Sequence, residues 1–351
     1  MSPVHTLEIQ GLRLRLPDTA RPVLDGVDLA VGPRETVALV GESGSGKSLT
    51  SRSVLGLLPG GARAEGRVRV VGDDVLTMTP AQLRVLRTGT AAMIFQDPRA
   101  AVNPMRRVGD FLTESLRLNA KASKAAAEVR AVEMLEAVGL TAGALRKYPG
   151  QLSGGMLQRV VIAAALMGDP ALILADEPTT ALDVTTQAEV VALLGDLRER
   201  FGTGLLFVTH DLGLAAAISD RVYVMYAGRI VETGPADELF TRPRHPYTVA
   251  LLDSTPRLDG PRGRLAAIDG RPPGLREELT GCPFAARCAF ATDVCTREAP
   301  ELLPVACEPG RLTSCHHGDL VARAERERAV RTHGTERTDG TERTERKELH
   351  S

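Results

Sequence analysis

Tryptophan is absent from this chain of 351 residues, and aromatic residues make up only 3% of it. Leu, Val and Ala must therefore supply the core. Long apolar runs are also missing. The longest, such as VVIAAALM at 160–167, falls well short of the roughly 18 to 20 residues that a membrane-spanning helix needs. Any membrane association must then run through other proteins. Charge of one sign is missing too: the net charge is -1, so no global field draws the chain to nucleic acid, and only local patches could. The first 281 residues contain no cysteine; all five lie between Cys282 and Cys315. The length allows one large core and a small further module.

What is present is a set of phosphate-handling motifs. Thr36 to Val40 (TVALV) reads as a short buried strand, followed at once by GESGSGKS at 41–48 and a helix expected to run to Pro59 and Gly60. This is the strand–loop–helix setting that a G-x-x-x-x-G-K-[ST] loop requires. Gly41, Gly44 and Gly46 admit dihedrals that turn successive amides inward at an anion, and the helix N-terminus adds partial positive charge. The loop (Gly41, Glu42, Ser43, Gly44, Ser45, Gly46, Lys47, Ser48) is expected to bind ATP. Lys47 would reach the β- and γ-phosphates and Ser48 the magnesium.

Downstream, ALILA at 171–175 reads as a fully buried parallel strand ending in Asp176-Glu177, at the sheet edge where ligands bind. Asp176 suits a magnesium shell, and Glu177 suits general-base polarisation of an attacking water. Gln96, after the apolar AAMIF, is a candidate magnesium and water ligand. His210 follows another buried run, LLFVT, and could donate to a γ-phosphate as charge develops. Taken singly, a Gln or a His in such a place is more often structural.

Together these residues resemble the ATP-binding subunits of ABC transporters. The order is Walker A at 41–48, Gln96 in IFQDP, the signature Leu152, Ser153, Gly154, Gly155 and Met156, Walker B LILADE at 172–177, the D-loop ALD with Asp183, and His210. The resemblance covers about residues 5 to 255. It implies an α/β fold: a P-loop NTPase (RecA-like) core, an antiparallel β-subdomain including Leu7 to Leu16 and Arg67 to Val71, and an α-helical subdomain at about 97–165. It also implies ATP and Mg2+ as cofactors and head-to-tail pairing of two such domains. The signature would then act in trans on the partner's nucleotide, with Asp183 joining the two sites. The chain departs from the family pattern twice. Met156 stands where many relatives carry Gln. LRLRLPDTARPVL has no aromatic residue to stack on adenine, leaving Leu14, Leu16 or Val23 for apolar contact.

Finer detail resembles the oligopeptide/dipeptide importers, in particular the first of their two ATPases: MIFQDPRAAVNP at 93–104, DEPTTALDVTTQAEV at 176–190, HPYT at 245–248 and GCPFAARC at 281–288. This implies peptide import at the cytoplasmic face of the cell membrane. The implied partners are a second, non-identical ATPase, two transmembrane permease subunits and, indirectly, an extracytoplasmic solute-binding protein, with no nucleic acid. The alternatives are an importer of nickel or another small solute, a soluble ABC ATPase of DNA repair or translation, and a non-hydrolysing regulator. Intact Lys47, Glu177 and His210 argue against the last.

The cysteines Cys282, Cys288, Cys295 and Cys315 are spaced C-x5-C-x6-C-x19-C, with Cys307 left over. No signal peptide is read, and nucleotide chemistry points to the cytoplasm, so disulfides are not expected. Four thiolates could hold zinc or an iron–sulfur cluster, or stay free, and the spacing does not choose. The resemblance favours a [4Fe–4S] cluster. His316 and His317 are alternates expected to be exposed. The chain thus divides into an ATPase domain (1–258), a cysteine-bearing extension (259–320) that opens with a Gly/Pro/Arg-rich linker, and a charged tail (321–351). The near-repeat GTERTDGTERTER at 334–346 is too polar to bury a core, so the tail is expected to be disordered.

Overall fold

Apolar and charged residues alternate along the first strand, β1 (Leu7–Arg15), which buries Leu7, Ile9, Leu12 and Leu14. The alternation skips a beat at Gly11, which has φ +57°, and both of β1's pairings shift register there. The inserted residue keeps Leu12 and Leu14 on the buried face, where an unbroken period of two would turn them to solvent. β2 (Leu24–Val31), β3 (Thr36–Val40), β4 (Arg63–Val70) and β5 (Asp73–Asp74) follow. β3 leaves for a second sheet; the other four form an antiparallel sheet in the order β2-β1-β4-β5. The computed structural model describes residues 5–118, 122–254 and 268–324. The expected linker lies partly outside these residues, and the 334–346 repeat wholly so.

The second sheet adds β6 (Ala91–Ile94), β7 (Leu172–Asp176), β8 (Gly204–Thr209), β9 (Arg221–Tyr226), β10 (Arg229–Pro235), β11 (Leu303–Pro304) and β12 (Leu312–Thr313). Its order is β11-β12-β10-β9-β3-β8-β7-β6. From β9 to β6 the neighbours run parallel; β10, β12 and β11 join antiparallel. β3, β7 and β8 are buried at every residue, as strands covered on both faces must be. Alternate residues serve different cores. Ile173 and Ala175 pack with the helices Val108–Leu118, Lys124–Ala137 and Gly154–Leu166, while Leu172 and Leu174 pack towards the antiparallel sheet.

Two boundaries differ from expectation. The helix after the phosphate loop spans Lys47–Val54 rather than reaching residue 58, because Gly56, at φ +64°, turns the chain out first. β4 begins at Arg63 rather than Arg67, with Gly66 held inside it at φ +97°. A Cβ on Gly66 would stand 2.6 Å from the Gly11 carbonyl oxygen of the neighbouring strand, so this glycine permits close approach and does not end the strand.

The C-terminal extension continues the main sheet: β12 lies on β10, pairing Thr313 with Glu232 and Leu312 with Thr233. Just before β12, Arg311 enters the core, where its side chain and that of Glu232 are both 0% exposed and 2.9 Å apart. Arg311 also donates to the Arg242 carbonyl and to Glu308, and Glu308 accepts from Arg244. Burial pushes the Glu232 carboxyl above its usual range. His245 is held neutral, its basicity pushed down to about 3 by burial, and its Nδ1 accepts from the Tyr247 amide at 3.0 Å. Helical residues continue from 318 to 324, with Val321 and Ala322 buried, so ordered structure extends past the expected domain end at 320.

Candidate nucleotide site

Gly41 has φ +153°, and a Cβ there would sit 2.2 Å from the Met225 carbonyl oxygen, backbone that cannot yield. Gly46 has φ +112° and brings the loop onto Leu24 and Met225. The loop is thereby wedged between the end of β9 and the start of β2. The Lys47 ammonium is buried and donates to the carbonyls of Gly41 (2.7 Å) and Glu42 (2.9 Å). Desolvation lowers its basicity, opposed by the charges of Glu177, Asp176 and Glu42.

The end of β7 brings Asp176 to this loop. Ser48 Oγ donates to Asp176 Oδ1 at 2.8 Å, which places two oxygen donors side by side as a hard divalent cation requires. Burial raises the Asp176 pKa; the Ser48 hydrogen bond and the charge of Arg52 oppose the rise. Glu177 follows at φ +50°, an uncommon conformation for a residue with a side chain, costing on the order of 1 to 3 kcal/mol. Its amide is tied to the Val208 carbonyl at 2.8 Å, which fixes the turn. Its carboxylate meets the other two expected groups: Oε2 accepts from Gln96 Nε2 at 3.0 Å and from Thr180 at 3.1 Å, and Oε1 stands 3.3 Å from His210 Nδ1. The fold thus unites Gln96, Glu177 and His210 from the ends of three strands, beside Ser48 and Asp176.

The signature lies elsewhere in this chain. Ser153 is exposed and caps the helix Gly154–Leu166, accepting from the Met156 amide at 3.3 Å. Asp183 caps the next helix, Val184–Phe201, accepting from the Thr186 amide and hydroxyl. The two caps adjoin, since a Cβ on Gly155 would stand 2.7 Å from Thr186 Cγ2. Among the described residues no hydrogen bond or ion pair joins 152–156 to the phosphate loop.

Comparison with known proteins accords with this geometry. The ABC transporter family profile matches residues 24–180, and the profile of the oligopeptide/dipeptide transporter C-terminal region matches 231–295. The oligopeptide transport ATP-binding protein OppD of Haemophilus influenzae is 41% identical over 91% of this chain and 96% of its own length. OppD of Salmonella typhimurium is 44% identical over 88% and 92%, and AppD of Bacillus subtilis 45% over 84% and 90%. The chain belongs to the ATP-binding subunits of oligopeptide/dipeptide ABC importers.

It is an ATPase subunit, and ATP with Mg2+ is expected for such a domain. Solved structures share the fold: cbiO1 of Clostridium perfringens, part of an ABC transporter complex, matches at TM-score 0.61 with 25% identity over 67% of this chain and 90% of that one. The dimeric ABC transporter cassette MJ0796 matches at 0.58 with 27% identity over 66% and 98%. No helix among the described residues is long and apolar enough to cross a membrane.

Of the residues considered for adenine contact, Leu14 is fully buried in the core, while Leu16 and Val23 are partly exposed. Cys282, Cys288, Cys295 and Cys315 line one cavity with Phe284, His316 and His317, and Cys307 lies apart and exposed. Burial raises the thiol pKa of Cys282, of Cys288 and of Cys315, the last to about 11. Among the described residues, no three His, Cys, Asp or Glu side chains are grouped as a single metal ion needs. His316 is exposed and His317 half-buried; each ring bonds an oxygen of the 292–298 segment.

Sequence reasoning missed how two residues beyond the catalytic strands reach the phosphate loop, one near the end of the expected ATPase domain and one in the extension. Tyr247 Oη accepts the Glu42 amide proton at 2.7 Å, and Arg287 grips the Glu42 carboxylate at 2.7 and 2.9 Å. These partners lie 205 and 245 residues from Glu42, a separation over which no periodicity or spacing in one sequence carries a signal.

Proposed function

We propose that the residues gathered here divide the work of ATP hydrolysis for peptide import as follows. Lys47 and the loop amides hold the β- and γ-phosphates. Ser48 and Asp176, with Gln96, would hold magnesium, which when bound neutralises phosphate charge. Glu177 takes a proton from the attacking water, and His210 donates to the γ-phosphate oxygens as charge builds. What carries this reading is the meeting of Gln96 and His210 on the Glu177 carboxylate, beside the Ser48–Asp176 pair.

The exposed Ser153 cap, apart from its own loop, supports action of the signature on a partner subunit's nucleotide, with Asp183 next to the junction. The partners would be a second, non-identical ATPase and two permeases at the cytoplasmic face of the membrane, fed by an extracytoplasmic binding protein. Residues 1–258 would form the ATPase domain, and the following segment the extension that marks this group. ATP hydrolysis by the chain reconstituted with its permeases in vesicles should rise with peptide-loaded binding protein and accompany peptide uptake. Hydrolysis indifferent to both, or uptake of nickel in place of peptide, would reject the assignment.

The four cysteines of the cavity are further proposed as ligands of a [4Fe–4S] cluster. Their convergence on one cavity supports this. Bound there, the cluster would cross-link the extension. Anaerobically prepared protein should contain iron and acid-labile sulfide, both lost in Cys295→Ser; iron-free protein with unchanged melting would refute it.

A further inference from the structure

The phosphate loop carries a carboxylate of its own. Glu42 lies one residue into a loop that must attract a polyanion, and Asp176 and Glu177 also act on Lys47. A single ammonium therefore faces three carboxylates before any triphosphate arrives. Within this group Glu42 is the carboxylate offset from outside the ATPase core.

The offsetting charge is Arg287. Its side chain is 4% exposed, and its two terminal nitrogens take the two Glu42 oxygens at 2.7 and 2.9 Å, a bidentate pairing. Its remaining donors are also used, on Tyr226 Oη (3.2 Å), the Ile268 carbonyl (3.2 Å) and the Asp269 carbonyl (2.9 Å). The guanidinium lies 5.8 Å from the ring centroids of both Tyr226 and Phe284. Tyr226, Tyr247 and Phe284 pack together with centroids 4.5 to 5.3 Å apart, so the ion pair sits on a rigid aromatic base. The same base presents Tyr247 Oη to the Glu42 amide. Both the backbone and the side chain of Glu42 are therefore fixed by residues that follow the catalytic strands.

We propose that Arg287 is a positioning residue of the nucleotide site: it neutralises and orients Glu42, so that MgATP meets a loop with one fewer uncompensated negative charge. Arg287 touches neither substrate nor reacting atoms; it acts through Glu42. The electrostatic role has a sign that a packing role lacks. Removing Arg287 strands a carboxylate next to the anion, and removing Glu42 as well cancels that penalty.

The test is a double-mutant cycle on the full chain, titrated with a fluorescent ATP analogue and Mg2+. Arg287→Gln is expected to raise the Kd about tenfold. Glu42→Gln is expected to lower it, and the double variant to return to within about threefold of the wild type. Arg287→Lys, which keeps the charge and loses the bidentate fork, should fall between wild type and Arg287→Gln. Melting without nucleotide is recorded alongside, because a purely structural pair would lower the melting temperature in both single variants without reversing the sign in Kd. An Arg287→Gln Kd within about twofold of wild type, or a double variant as weak as that single one, would overturn the proposal.

Discussion

Glu177→Gln is expected to cut ATP hydrolysis by the assembled transporter at least about a hundredfold while leaving nucleotide bound. The amide is nearly isosteric with the carboxylate, but it cannot accept a proton from water. The turn that presents residue 177 is held by its backbone, through the 2.8 Å bond to Val208, so the substitution removes the base without moving its platform. The Ser48–Asp176 pair and the Lys47 ammonium are untouched, which is why binding should survive. Phosphate release and nucleotide retention, measured on the same preparation, separate the two effects. Hydrolysis within a few-fold of wild type would remove Glu177 from the chemistry; loss of nucleotide along with turnover would mean that it serves binding.

Lys47→Ala should have the opposite profile. Its ammonium feels the charges of three carboxylates, those of Glu177, Asp176 and Glu42, and is the one cationic side chain within the loop itself, so without it the loop offers a triphosphate no positive side chain of its own. Affinity for ATP is expected to fall at least about a hundredfold, equivalent to about 2.7 kcal/mol. The fold should not suffer in proportion, because burying this charge is itself unfavourable, as its lowered pKa records. Nucleotide titration together with thermal melting checks both halves: affinity within about twofold of wild type would show that the loop amides alone hold the phosphates.

Much of the site was legible because it is local. A phosphate loop, a buried strand ending in two carboxylates, and a capped helix are each written in fewer than ten consecutive residues, and the strand-end rule then gathers them at one edge. The helical subdomain expected at about 97–165 holds the helices Val108–Leu118, Lys124–Ala137 and Gly154–Leu166. Glycine misled where its role was not to end an element: Gly66 looks like a break before β4 and is instead a close approach within it. The hold of Arg287 and Tyr247 on Glu42 could not be read at all, since it depends on how the chain beyond β10 returns to the phosphate loop.

Arg311 has a consequence for how the polypeptide is made. Glu232, on β10, becomes a buried charge whose guanidinium partner is translated 79 residues later, and the outer rim of β10 receives β12 only at that stage. While the ribosome is still adding the intervening stretch, Glu232 has the Arg244 and His245 amides but not its guanidinium, and β10 has an unpaired rim of the kind that invites misassembly. Completion of this edge of the sheet is thus deferred until residues 311–313 emerge, and a chain cut short near residue 258 is expected to aggregate more readily than the full chain.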